Sequence, residues 1–233
     1  CDTAFYLNSA IKDGKCVLFE GAQGTMLDID HGTYPFVTSS NCTAGGACGG
    51  SGVAPTRISG VIGIAKAYIT RVGGGPFPSE QNNEWGEALQ KQGNEYGSVT
   101  GRPRRCGWFD VPLLRYTAMV NGFDSLVITK LDVLDSFDEI PVAVGYRVDG
   151  RLTDSMPVTA REFETLEVVY EKLPGWKSST TQARSYDDLP AQAKTYLEFL
   201  EQQTGVEVGC ISTGPGREQS FIRKGTRFAE LVG

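Results

Sequence analysis

Leu126, Val127 and Ile128 run without a break into Thr129-Lys130-Leu131-Asp132. Apolar β-formers that give way at once to a Lys and an Asp mark a buried strand with an abrupt polar end. An open α/β sheet binds its ligands at the carboxyl ends of such strands. The polar end has a specific chemistry. An ionised Asp only accepts, through two oxygens, so Asp132 suits the ring N–H and the exocyclic amino group of guanine. Adenine presents no such pair of donors on that edge. Lys130 can lay its apolar stem along a base and hold its charge toward ribose or phosphate. The same Lys-x-Asp is also compatible with a plain solvated turn.

The rest of the pattern carries the α/β reading along the chain. Lys15 to Glu20 reads as a short buried strand that switches into the tight loop Gly21-Ala22-Gln23-Gly24. From Asp28 to Gly52 there is no helical period and much Gly, Ser, Thr and Asn, which predicts a long binding loop. Ile58, Val61, Ile62 and Ala65 share a helical face, so Pro55 to Lys66 is expected to be a helix, and Tyr68 to Val72 a strand. Asp110 caps a second helix, with Pro112 in its first turn and Asn121-Gly122 at its end; the strand Ser125 to Thr129 follows. Val142 to Val148 is a further strand, and residues 149–188 are polar and less regular, an excursion from the main sheet. Leu189-Pro190 opens a third helix with Ala193, Tyr196, Leu197 and Leu200 inward, and Val206 to Ile211 is a strand running into Ser212-Thr213-Gly214-Pro215. Strands alternating with helices predict an α/β fold whose mainly parallel sheet is flanked by helices.

Charge and cysteine usage narrow the partners. A net charge of −6 and a pI near 5.0 argue against broad binding of nucleic acid or a membrane surface, which needs a basic face. No apolar run approaches the ~20 residues of a membrane span. Cys1-Asp2-Thr3 has neither the basic start nor the apolar stretch of a signal peptide. The six cysteines are scattered, without a C-x-x-C pair, and read as reduced cytoplasmic thiols. With His31 the only histidine, no zinc site is expected.

Three further clusters stand out. Arg102-Pro103-Arg104-Arg105 follows Gly97-Ser98-Val99-Thr100-Gly101, and guanidinium forks in such a loop fit carboxylate or phosphate; a solvated basic loop is the alternative. Ser212, Thr213 and Gly214 sit at a strand end, as ligand contacts or as a simple turn. Gln23 could read a purine edge or merely brace its loop. Asp28, Asp30 and His31 look like an acid–base set, but without a nucleophile nearby a structural network is the reading adopted. The phosphate-cradling Gly-x-x-x-x-Gly-Lys-Ser/Thr is absent.

Taken jointly, Phe19-Glu20-Gly21-Ala22-Gln23-Gly24-Thr25, Asp28-Ile29-Asp30-His31-Gly32-Thr33-Tyr34-Pro35, Val37-Thr38-Ser39-Ser40-Asn41, Thr100-Gly101-Arg102, Arg104-Arg105-Cys106-Gly107-Trp108, Thr129-Lys130-Leu131-Asp132 and Ile211-Ser212-Thr213-Gly214-Pro215 resemble the adenylosuccinate synthetase family from about residue 3 onward. That resemblance implies a P-loop-NTPase-like architecture, here incomplete. It implies a GTP-dependent ligase of purine biosynthesis: the γ-phosphate passes to the 6-oxygen of IMP, and L-aspartate displaces it. Gln23, Thr38 and Arg102 would hold IMP. Ser98, Val99, Thr100, Gly101, Arg102, Pro103 and Arg104 would form the aspartate loop. Arg104, Lys130, Leu131, Asp132, Ser212, Thr213 and Gly214 would hold GTP.

The family's Gly-Asp-Glu-Gly-Lys-Gly-Lys loop with its catalytic Asp, and its Gly-His-Thr catalytic His, have no counterpart among these residues. The resemblance therefore covers the C-terminal half or slightly more of one domain. No catalytic residue and no Mg²⁺ ligand is expected in this chain, which is expected to be inactive alone. The full enzyme would use Mg²⁺ and form a homodimer in the cytoplasm. Within the matching part Val99 stands where Thr is common, Gly49 replaces a Thr, Ala54 a Gly and Gly216 an Asp. The rival reading is a non-catalytic purine-nucleotide-binding or scaffold protein on the same fold.

Overall fold

The computed structural model describes residues 1–97 and 101–233. Its helices are α1 (Thr3–Lys12), α2 (Ala44–Ser51), α3 (Glu84–Gln92), α4 (Val111–Asn121), α5 (Ala160–Thr165), α6 (Ala191–Thr204) and α7 (Arg227–Val232). Its strands are β1 (Ile62–Lys66), β2 (Ile69–Arg71), β3 (Arg105–Gly107), β4 (Ser125–Thr129), β5 (Glu139–Val148), β6 (Arg151–Thr153), β7 (Glu167–Pro174), β8 (Val208–Ser212) and β9 (Ser220–Ile222).

The central sheet has the order β1-β4-β8-β9, with β1, β4 and β8 parallel and β9 antiparallel at the edge. Lys66 lies opposite Thr129 and Ile128 opposite Ile211, so the three parallel strands finish at one common edge. Leu126, Ile128 and Ile211 are fully buried, as are Leu197 and Leu200 on α6. Each such side chain contributes about 2 kcal/mol of transfer free energy, which seats the helices on the sheet. Tyr196 of α6 adds a polar tie, its hydroxyl donating to the Ala67 carbonyl at 2.6 Å. Within residues 149–188, β6 and β7 flank β5 in a separate three-stranded antiparallel sheet.

The local signals behind α4, β4 and α6 work as the sequence implies. Asp110 accepts from the Leu113 amide at 3.1 Å, Pro112 occupies the first turn and Gly122 closes α4 at φ 67°. The segment Pro55 to Lys66 is not a helix. Only Pro55–Arg57 makes a 3₁₀ turn, and Ile62–Lys66 is β1. Gly63 explains the choice: a Cβ there would meet the side chains of Leu126 and Phe123 at 2.8 Å, so the strand needs glycine, while glycine weakens a helix. Lys15 to Glu20 is not a strand, and Leu18 stands 87% exposed. The stretch Asp28 to Gly52 contains α2, whose first amide, Ala44, donates to Asn121 at 2.8 Å. Among the described residues no helix is long and apolar enough to cross a membrane.

Candidate functional site

Lys66, Lys130 and Ser212 stand at or just beyond the carboxyl ends of β1, β4 and β8. Lys130 adopts φ 59°, a left-handed conformation that costs a non-glycine residue about 1 kcal/mol. Its ammonium holds it there, donating to the Gly93 carbonyl at 2.5 Å and lying 3.0 Å from Glu95 Oε1. A 3₁₀ turn follows at Leu131–Leu134, anchored by fully buried Leu131 and Leu134. Asp132 is the second residue of this turn. Its Oδ1 is buried and has no hydrogen-bond partner among the described residues. Burial raises its pKa above the ordinary carboxylate value and Asp135 adds to the rise, against the pull of Lys130. A native fold rarely leaves such an oxygen unpaired without a reason.

Beside it, Ser212 donates through Oγ to the Gly214 carbonyl at 3.0 Å, and the Thr213 amide donates to Gln219 O at 2.9 Å. A Cβ on Gly214 would strike the Gln219 side chain. The turn after β8 is thus held compactly, next to the turn after β4.

The electrostatic centre of this edge is Glu95, a residue the sequence reading passed over. It is fully buried. Oε1 accepts from Lys66 at 2.9 Å and from the Tyr68 hydroxyl at 2.5 Å; Oε2 accepts from Arg104 at 2.7 Å. Burial alone would raise its pKa, but the hydrogen bonds from Tyr68, Lys66, Arg104 and Lys130 outweigh it and bring the value to about 2. Three cations surround the one Glu95 carboxylate and remain part-exposed. Gly93 permits the arrangement, since a Cβ there would collide with the Tyr68 hydroxyl.

The Arg loop springs from the same place. The Arg104 amide donates to Glu95 O at 2.9 Å, the Gly97 amide to Arg102 O at 2.8 Å, and Tyr96 pairs with Pro103 across the base. Gly101, Arg102, Pro103 and Arg104 are described; Ser98, Val99 and Thr100 lie outside the described residues. Arg105 points elsewhere, forked onto Glu80 through Nε at 2.6 Å and Nη2 at 2.5 Å.

Gln23 and Thr38 form a second group. Gln23, at φ 66°, donates from Nε2 to Thr38 Oγ1 at 3.2 Å and accepts from Cys42 Sγ at 3.2 Å. The loop around them is braced by buried Asp28, which accepts from the amides of Asp30, His31, Cys42 and Thr43. Burial opposes that charge, and the four amides overcome it, leaving the Asp28 carboxyl below its ordinary value. Asp28 is therefore a loop brace, in line with the structural reading of Asp28, Asp30 and His31.

The structure brings Lys130, Leu131, Asp132, Ser212, Thr213, Gly214 and Arg104 to one sheet edge and joins Gln23 to Thr38. Lys66 was hidden by the helical reading of Pro55 to Lys66. Glu95 had one usable signal: it is the acid that immediately precedes the Gly/Ser/Thr/Arg loop.

Residues 1–221 match the family described as Adenylosuccinate synthetase. The adenylosuccinate synthetase of Solibacter usitatus is 66% identical over 233 residues, all of this chain and 54% of that protein. The Mycobacterium tuberculosis enzyme of the same name (strain H37Rv) is 57% identical over 223 residues, 96% of this chain and 52% of its own length. Among solved structures, fully ligated adenylosuccinate synthetase from Plasmodium falciparum superposes with a TM-score of 0.94 at 41% identity, covering 96% of this chain and 54% of that one. The chain spans about half the length of the curated relatives it matches.

Proposed function

The chain belongs to the adenylosuccinate synthetase family, and from that premise we propose that it supplies the guanine-, IMP- and aspartate-holding surface of a GTP-dependent ligase. The reaction joins IMP and L-aspartate. The γ-phosphate of GTP moves to the 6-oxygen of IMP, and the aspartate amine then attacks C6 and expels phosphate, giving adenylosuccinate, GDP and phosphate. Asp132 accepts the two guanine donors, while Lys130 and Leu131 flank the base and Ser212, Thr213 and Gly214 close over its other side. Arg104 faces the phosphates, where a fixed cation offsets developing phosphoryl charge and contributes a few kcal/mol. Gln23, Thr38 and Arg102 hold IMP, and the loop Ser98, Val99, Thr100, Gly101, Arg102, Pro103 and Arg104 closes on aspartate. Mg²⁺ would accompany the nucleotide, but no three His, Cys, Asp or Glu side chains among the described residues gather as a cage for it, so none here is assigned to it. The same reading takes the enzyme as a cytoplasmic homodimer.

The observation that carries this reading is the buried, unpartnered Oδ1 of Asp132 at the carboxyl edge of the sheet, beside Lys130 and the Ser212–Gly214 turn. A site built to pair both donors of a base rejects one that lacks them, because the buried acceptor is then left unpaired. Calorimetric titration with GDP and with ADP tests it. GDP is expected to bind at least about tenfold more tightly, and equal affinities would overturn the reading.

A further inference from the structure

We propose that Glu95 is a positioning residue that links the guanine-reading turn to the aspartate loop, so that each is held in register by the other. The proposal rests on the reading of Lys130–Asp132 as the guanine site and of Gly101–Arg104 as part of the aspartate loop.

The division of labour lies in the two carboxylate oxygens. Oε1 takes Lys66, Tyr68 and Lys130, which belong to the strand ends and to the turn that carries Asp132. Oε2 takes Arg104, an arm of the loop. The main chain repeats the link, since Glu95 O accepts from the Arg104 amide at the base of that loop. The carboxylate is planar and rigid, so a displacement of Lys130 changes the place offered to Arg104, and the reverse holds as well. Glu95 is 0% exposed and cannot itself meet a substrate, whereas the side chains of Lys66, Arg104 and Lys130 are 25%, 29% and 34% exposed. The cations thus keep their heads accessible while their positions are fixed from beneath. A brace that served only the fold would have no need to leave its partners at the ligand edge. The carboxyl stays ionised at any working pH, because its pKa is held at about 2, so the link is permanent and does not switch.

The test is Glu95→Gln in the enzyme that contains this chain, read by steady-state kinetics. Gln keeps the size and one acceptor, but it cannot hold cations on both sides. The KM values for GTP and for aspartate are both expected to rise about tenfold, the effect of losing a charge-assisted contact, with a smaller fall in kcat. KM does not depend on the folded fraction, so a merely structural role would lower activity and leave both values in place. Glu95→Gln should raise the KM for GTP less in a Lys130→Met background than in the unmodified enzyme, since its effect on GTP runs through that contact. Unchanged KM values, or a rise in only one of them, would overturn the link. If Glu95→Gln does not fold, the double variant Glu95→Gln with Lys66→Met removes one surplus cation, and the same two outcomes decide. Asp132→Asn in parallel separates the underlying reading: if it leaves the preference for GTP over ATP intact, the guanine assignment fails, and the proposal falls with it.

Discussion

Glu95 and Asp110 are both carboxylates with 0% exposure, yet the fold treats them in opposite ways. Glu95 is met by two lysines, an arginine and a tyrosine, and is driven down to about 2 against the cost of its burial. Asp110 caps α4 in an apolar setting, with the Tyr146 hydroxyl donating at 2.6 Å and the Leu113 amide at 3.1 Å; burial dominates and pushes it up to about 6. Burial alone therefore says little about a carboxylate's job. The partners decide it, together with where they point. Each region also contains an unpartnered carboxylate oxygen, Asp132 Oδ1 near Glu95 and Asp110 Oδ2 itself. Asp110 sits wholly inside the core, where burial raises its pKa. Asp132 is only part-buried and lies in a turn at the sheet edge, although its Oδ1 is as buried as Asp110 Oδ2. The place of the residue in the fold, core or sheet edge, separates the two, not the orphaned oxygen by itself.

The largest expected difference is in stability. Glu95→Gln leaves three cations facing one another and should lower the unfolding free energy by about 3 kcal/mol. Asp110→Asn keeps the cap and sheds a charge the core resists, so it should change stability by about 1 kcal/mol or less. Urea unfolding of both at pH 7 checks the pair, and equal losses would break the contrast.

The second difference is its sign with pH. The folded pKa of Glu95 lies below its ordinary 4.5, so its contribution is complete above pH 4.5 and is lost as pH falls toward about 2. The folded pKa of Asp110 lies above its ordinary 3.8, so the fold gains stability as pH falls from about 6 toward 3.8. Asp110→Asn should flatten the upper window and Glu95→Gln the lower one. Unfolding curves across both windows would show an exchanged pattern if the assignments were reversed.

The smallest contrast concerns the two tyrosines. Tyr68→Phe and Tyr146→Phe each remove a donor to a carboxylate and should each cost about 2 kcal/mol. Only Tyr68→Phe should also weaken GDP binding, which calorimetry on the two variants would report.

What the sequence disclosed follows the same division between local and distant causes. The helix α4 was legible because Asp110, Pro112 and Gly122 each act within one turn of their own position. The strand β4 and its polar end were legible because an apolar run and a charge change need no partner to be seen. The strand expected at Lys15 to Glu20 had propensity but no neighbour among the described residues, and propensity without pairing does not make a strand. The helix α2, Gly-rich and without period, depends on Asn121, 77 residues from Ala44, to hold its first turn. The same holds at the site. Lys130, Asp132 and the Ser212–Gly214 turn carry their chemistry in short motifs. Glu95 becomes important only when the ends of β1 and β4, Tyr68 and the Arg loop converge on it, and its place before that loop does not announce which partners it will meet.

The most direct measurement is the binding of GDP and xanthosine diphosphate to the unmodified protein and to Asp132→Asn. Xanthine carries an oxygen where guanine carries its amino group, so a carboxamide at position 132 can donate where the carboxylate could only accept. The unmodified protein should prefer GDP, and Asp132→Asn should reverse that preference in favour of the xanthine nucleotide. Retention of the GDP preference by Asp132→Asn would contradict the assignment of this sheet edge as a guanine site.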